Sequence, residues 1–225
     1  MHKNTKLLAI VVALLIVAVM GTLFVQMIQN QKKSSNTIRI ACVGDSITEG
    51  SEYPNDLWML LGKNYALGNF GHGGTTVSLN TPNSYMKEPT FQEAKDFQPN
   101  IVIIMLGTND ALSSFHIYNS FFVDDYLKLI NEFQALASKP RIWLVLPPPI
   151  FNNGTGLSTE FFEQNVIPNI ERAANKTNLP IINVYTALIN HPECFPDGVH
   201  PNNKGSQLIA KEVFKAIAAK EWPSD

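Results

Sequence analysis

Residues Ile101–Leu106 read IVIIML, six apolar positions with no alternation. A strand with one face in water alternates apolar and polar residues. An unbroken run bounded by Pro99-Asn100 and Gly107 therefore predicts a strand buried on both faces. Ile38–Val43 (IRIACV) and Arg141–Leu146 (RIWLVL) are similar runs, the first ended by Gly44 and the second by Pro147, Pro148 and Pro149. Tyr65–Phe70 and Ile181–Val184 carry weaker strand signals. Between them, helical spacing runs through Pro54–Leu61, Thr90–Phe97, Phe121–Ala137, Thr159–Asn175 (with Pro168 as a kink position) and Asn203–Lys220. Strand and helix in alternation require crossover connections. The predicted fold class is therefore α/β, a three-layer α/β/α sandwich with a central parallel sheet.

The N-terminus reads differently. Residues 1–6 form a short basic head, and residues 7–28 (LLAIVVALLIVAVMGTLFVQMI) contain no charge. At about 1.5 Å per helical residue that stretch matches a hydrocarbon core of about 30 Å. It is expected to be one hydrophobic helix, a transmembrane signal anchor. The alternative is a cleaved secretory signal with Leu7–Met20 as its apolar region. Residues 29–36 are a polar linker, and residues 37–225 are of a size for one domain. An anchored body is expected to lie outside the cytoplasm, and a cleaved one to be secreted.

Composition narrows the function classes. The chain is 45% hydrophobic and 16% charged, which excludes wholesale disorder, collagen and a disulfide-dense miniprotein. All 19 acids follow position 36 but four of the 17 Lys/Arg precede it, leaving 13 basic residues against 19 acids in the body. So acidic a body argues against a nucleic-acid partner. Cys42 and Cys194 could form one disulfide or stay as two thiols. No His/Cys/Asp/Glu cluster has metal spacing in the sequence, so no metal and no cofactor are expected.

In parallel α/β sheets, ligands bind outside the carboxyl ends of the strands. Three blocks follow predicted strands here: Gly44-Asp45-Ser46-Ile47-Thr48-Glu49-Gly50, then Asn69-Phe70-Gly71-His72-Gly73-Gly74-Thr75-Thr76, then Gly107-Thr108-Asn109-Asp110. A fourth, Phe195-Pro196-Asp197-Gly198-Val199-His200-Pro201, lies late in the chain. Together they supply a serine, a histidine, an aspartate, an asparagine and glycine-rich backbone, the parts of an acyl-transfer site. A serine hydroxyl needs a base, and histidine suits that role near neutral pH. The imidazole needs a carboxylate on its other nitrogen to fix the tautomer. Asp197 and His200 are close enough in sequence for one loop to deliver both. Asp45 and Asp110 are expected to brace loops, and His72 is left between an exposed position and a pocket lining.

These four blocks, in this order, resemble the GDSL or SGNH hydrolase family over Ile40 to about Lys211. GDSITEG matches its nucleophile block, GTND its asparagine block and DGVHPNNKG its Asp-x-x-His block. The looser second block places the family's glycine at Gly74. The resemblance implies a flavodoxin-like SGNH fold, with Ser46 as nucleophile, His200 as base and Asp197 as orienting acid. It further implies an oxyanion hole of the Ser46 N–H, the Gly74 N–H and the Asn109 amide. Position 48 is Thr, so the Gly-x-Ser-x-Gly setting of an α/β-hydrolase is missing. IVIIMLGTND and the LPPP run resemble the acylhydrolase and sialate O-acetylesterase-like branch. The expected function is a serine esterase that removes a short acyl group, acetyl above all, from a carbohydrate. The alternatives are a lysophospholipase or thioesterase acting on lipid at the membrane, and a catalytically silent binding module.

Overall fold

The structure, a computed structural model, describes residues 15–27, 37–151 and 154–218. The chain divides into two units, residues 1–37 and 38–225. In the first, residues 15–27 are helical, with Leu15, Val17 and Phe24 exposed. Among the described residues no helix is long and apolar enough to cross a membrane. The basic head, the linker and the rest of the expected anchor lie outside the described residues.

The second unit opens with β1 (Ile38–Gly44), the four-residue helix α1 (Ser46–Glu49) and α2 (Tyr53–Leu61). It continues through β2 (Tyr65–Gly71), α3 (Pro89–Asp96), β3 (Ile101–Met105), α4 (Phe122–Gln134) and β4 (Arg141–Leu146). After β4 come α5 (Ile167–Thr177), β5 (Ile181–Asn183), α6 (Val184–Leu188) and α7 (Asn203–Ala218). The strands form one parallel sheet in the order β2-β1-β3-β4-β5. This is the doubly wound arrangement of a flavodoxin-like domain, with its topological switch between β1 and β3.

Burial explains the unbroken apolar runs. On one face Ala41, Val43, Val102 and Ile104 pack under α3, α4 and α5 through Phe91, Tyr126, Ile130 and Ile170. On the other, Ile40, Cys42, Ile101 and Ile103 meet α2 and α7 through Leu57, Ile209 and Val213. Every residue of β3 is at most 1% exposed. Each such aliphatic side chain contributes roughly 1.5–3 kcal/mol on burial. The domain is the expected three-layer α/β/α sandwich.

Near Pro168 the structure differs from a simple kink. A first turn at Thr159–Phe161 widens into a π turn at Phe162–Val166 before α5 begins. Proline has no N–H to give the carbonyl four residues back, and its ring crowds that carbonyl. A wide turn just ahead of it removes the clash while the chain stays helical. Cys42 and Cys194 are both buried and unpaired. Burial pushes the Cys42 thiol up to about 12, which makes it inert core filler.

Candidate active site

The site is assembled at the carboxyl edge of the sheet, around the switch between β1 and β3. After β1, Asp45 caps α1 by accepting the Ile47 N–H at 3.0 Å. Gly44 makes this tight reversal possible, because a β-carbon there would stand 1.9 Å from Thr48 Oγ1. The result places Ser46 at the first helical position, where its own N–H has no intrahelical acceptor.

After β2 the chain turns at His72–Thr75. The His72 N–H reaches Gly44 O at 3.0 Å, and the Thr75 hydroxyl bonds His72 O at 2.7 Å. Gly74 takes a φ of 75°, which favours glycine. After β3, Asn109 sits in the tight turn Thr108–Ala111 and gives one amide hydrogen to Thr75 O at 3.0 Å. An asparagine amide carries two hydrogens, so a second donor remains for a ligand.

The loop ahead of α7 contributes the last pair. Asp197 Oδ1 accepts the backbone N–H of Val199 at 2.9 Å and of His200 at 2.7 Å. Its other oxygen lies 2.6 Å from His200 Nδ1. Facing a carboxylate, Nδ1 must be the donor, which leaves Nε2 as the acceptor 2.8 Å from Ser46 Oγ. Burial alone would raise the Asp197 carboxyl. The hydrogen bonds from the His200 ring and from the backbone of His200 and Val199 outweigh it and bring it down to about 2. The chain Ser46–His200–Asp197 is thus a continuous hydrogen-bonded series with an ionised end.

Ser46, Gly74, Asn109 and His200 line one cleft of about 320 Å³ with Leu112, Thr155, Leu157 and Val199. All five residues singled out in the sequence therefore come together, Asp197 through His200. Of the four other lining residues, Val199 belongs to the fourth sequence block, while Leu112, Thr155 and Leu157 lie in segments where the sequence offers no readable signal. Leu112 and Leu157 meet in an isolated bridge, and the Ser158 N–H bonds Ala111 O at 2.9 Å. That pairing closes one side of the cleft and has no local sequence signal.

The neighbouring titratable groups have structural partners. Asp110 accepts from the Val77 N–H at 2.9 Å and from the Ser78 N–H and hydroxyl at 3.0 and 2.7 Å. Burial pushes it up to about 6 against those bonds. Asp45, fully enclosed, is raised by burial to about 7, while its bond from Ile47, the nearby Thr108 and the His200 charge pull the other way. His72 is not among the cleft-lining residues and stands 3.7 Å from Glu88. One group with metal-capable spacing does occur, contrary to the sequence reading: ligand atoms of His191, Glu193 and Cys194 lie within 4.8 Å of one another. Folding brings Cys194 beside the other two in a tight turn, Pro192–Cys194. The Glu193 carboxylate there is already bonded by Lys204 at 2.9 Å and by His191 at 3.1 Å.

A serine, histidine and aspartate in hydrogen-bonded series at the carboxyl edge of a 2-1-3-4-5 parallel sheet define an SGNH-type α/β/α domain. The chain belongs to the GDSL-like lipase/acylhydrolase family, whose model matches residues 42–208. It is similar to an acetylxylan esterase of Xylanibacter ruminicola, 29% identical over 208 residues that make up 81% of this chain and 43% of that protein. A carbohydrate acetylesterase from Sinorhizobium meliloti superposes with a TM-score of 0.65 at 21% identity, covering 81% of this chain and 99% of that one. A lipase/acylhydrolase from Enterococcus faecalis does so with a TM-score of 0.67 at 22% identity, covering 84% and 99%. At such identities the two structures establish the fold. The chain spans about half the length of the curated relatives it matches.

Proposed function

We propose that the protein is a carboxylic ester hydrolase that removes short acyl groups, acetyl above all, from a carbohydrate. The observation that carries this reading is the Ser46 Oγ to His200 Nε2 bond of 2.8 Å, continued at 2.6 Å to Asp197. Ser46 Oγ attacks the ester carbonyl and its proton passes to His200 Nε2. The imidazolium is held by the ionised Asp197. Negative charge gathers on the former carbonyl oxygen, where the N–H groups of Ser46 and Gly74 and the Asn109 amide donate to it. One such donor is worth about 2.7–4 kcal/mol of barrier in comparable sites. Collapse expels the alcohol, which takes the proton from His200. Water then releases the acid by the same route, and no cofactor or metal is needed.

Leu112, Leu157 and Val199 supply an apolar wall for the acyl group. Similarity to the acetylxylan esterase supports a carbohydrate acceptor. The uncharged stretch at 7–28 supports attachment to a membrane with the body outside the cytoplasm, where polysaccharide esters are met. Extraction tests the attachment: an anchored chain resists high salt, which screens charge and leaves apolar burial intact.

The deciding experiment compares acetylated xylan, lysophospholipid and p-nitrophenyl esters from acetate to palmitate, with wild type and Ser46→Ala. Wild type is expected to prefer acetate and acetylated glycan, and Ser46→Ala to fall below about a tenth of wild-type turnover while staying folded. A preference for lysophospholipid or long chains would establish the lipid reading instead. No Ser46-dependent turnover on any ester would leave a binding module.

A further inference from the structure

We propose that Glu49 is a positioning residue for the oxyanion site, its carboxylate holding the Gly73 peptide so that the Gly74 N–H is presented to the reacting carbonyl. The inference rests on the hydrolase reading above and deepens it.

Four successive backbone N–H groups in the turn after β2 differ in their partners. The His72 N–H is used by Gly44 O at 3.0 Å, and the Thr75 N–H by His72 O at 3.4 Å. The Gly73 N–H is taken by Glu49 Oε2 at 2.8 Å. Of these four, the Gly74 N–H is the one with no acceptor among the described residues, and Gly74 lines the cleft beside Ser46. Glycine at 73 and 74 gives the backbone freedom to rotate, so a peptide of this kind needs an outside partner to stay in one orientation. Glu49 is that partner. A β-carbon on Gly73 would stand 2.8 Å from Glu49 Oε2 and 3.7 Å from Ser46 Cβ, so this glycine is packed close to both the carboxylate and the Ser46 side chain.

Glu49 is itself held. It is the last residue of α1, the helix that Ser46 begins, and the Asn69 amide donates to the carbonyls of Thr48 and Glu49 at 2.9 and 3.3 Å. Nucleophile and oxyanion donor therefore share one frame, with Glu49 as the cross-link between β1–α1 and the turn after β2. An exposed carboxylate usually contributes little. This one accepts a backbone N–H in charge-assisted geometry, which is the stronger kind of hydrogen bond. Its charge lies near developing negative charge and so gives no attraction there. The useful property is the acceptor, and glutamine also has one.

The test uses the full chain with Glu49→Ala, Glu49→Asp and Glu49→Gln, beside wild type and Ser46→Ala, on p-nitrophenyl acetate. Glu49→Ala is expected to lower kcat about 10- to 100-fold with KM changed less than about twofold, because the lost contact serves the transition state. Glu49→Asp, one methylene too short to reach Gly73, falls with it, which also covers an alanine variant that does not fold. Glu49→Gln rescues most of the loss. Affinity for a boronate that mimics the tetrahedral oxyanion drops in parallel with kcat, a readout that a purely structural residue would leave unmoved. Unchanged kcat in Glu49→Ala and Glu49→Asp overturns the proposal, as does an equal loss in Glu49→Gln, which would make the charge the active property. In those cases wild type still exceeds Ser46→Ala; if it does not, the hydrolase reading itself has failed.

Discussion

Gly71 and Glu49 approach so closely that a β-carbon on the glycine would stand 2.2 Å from the Glu49 backbone nitrogen. Both sides of that contact are backbone, so no side chain can swing away. Gly71→Ala must push α1 and the end of β2 apart, at the join between the helix that Ser46 begins and the turn that carries Gly74. Overpacking of this kind costs about 1–3 kcal/mol. A lowered urea midpoint is expected together with a fall in kcat larger than the loss of folded protein explains. Melts and turnover on the same preparation check both.

Asp197 is ionised at every pH where the enzyme is expected to work, since its hydrogen bonds bring it down to about 2. The stabilisation it gives is present above its unfolded value of about 3.9 and is lost only as pH falls through about 2. A loss of activity in mild acid therefore does not come from this carboxylate. Asp197→Asn keeps the shape but offers His200 an amide that can select the wrong tautomer. A decline in kcat of about two to four decades is expected, by analogy with a comparable triad.

Asp45 has the opposite linkage. Burial raises its carboxyl to about 7, above an unfolded value of about 3.9, so the folded chain binds the extra proton between them. Its effect on stability is best below about pH 4, worsens as pH rises through 7 and stays unfavourable beyond. Asp45→Asn retains an acceptor for Ile47 and removes the titration. The variant should be more stable than wild type at pH 8, by about 1–2 kcal/mol, with the gap closing toward pH 4. Urea unfolding at the two pH values measures it.

Leu112 lines the cleft together with Leu157 and Val199, the apolar wall proposed to hold the acyl group. Trimming it in Leu112→Ala makes room for longer chains. Each further buried methylene is worth about 0.8 kcal/mol. The butyrate-to-acetate ratio of kcat/KM should rise about three- to tenfold, as read on the p-nitrophenyl esters.

Strands were legible in the sequence where burial is complete. β1, β3 and β4 declare themselves as apolar runs because helices cover both their faces. β2 gave a weak signal because it is an edge strand with half-exposed residues, interrupted by Gly68. The π turn before α5 left no mark beyond Pro168. At the site, blocks that follow strands were readable because reversals need glycine and cappers need Asp or Asn. Partnerships across the chain were not. Asp110 reaches Val77 and Ser78, Leu112 reaches Leu157 and Glu49 reaches Gly73 through tertiary folding alone. The segment Ser113–Phe121 buries no side chain, so it had no periodicity to read.

The Ser46 to His200 bond joins positions 154 apart in the chain. The hydroxyl that would attack is made near the start of the domain, and the base that would awaken it arrives only with the loop that precedes the final helix. A nascent chain still lacking that loop carries a serine no more reactive than any other. Turnover should therefore be the last property to return on refolding, later than sheet or core signals, because it reports the docking of the C-terminal segment onto a sheet already formed.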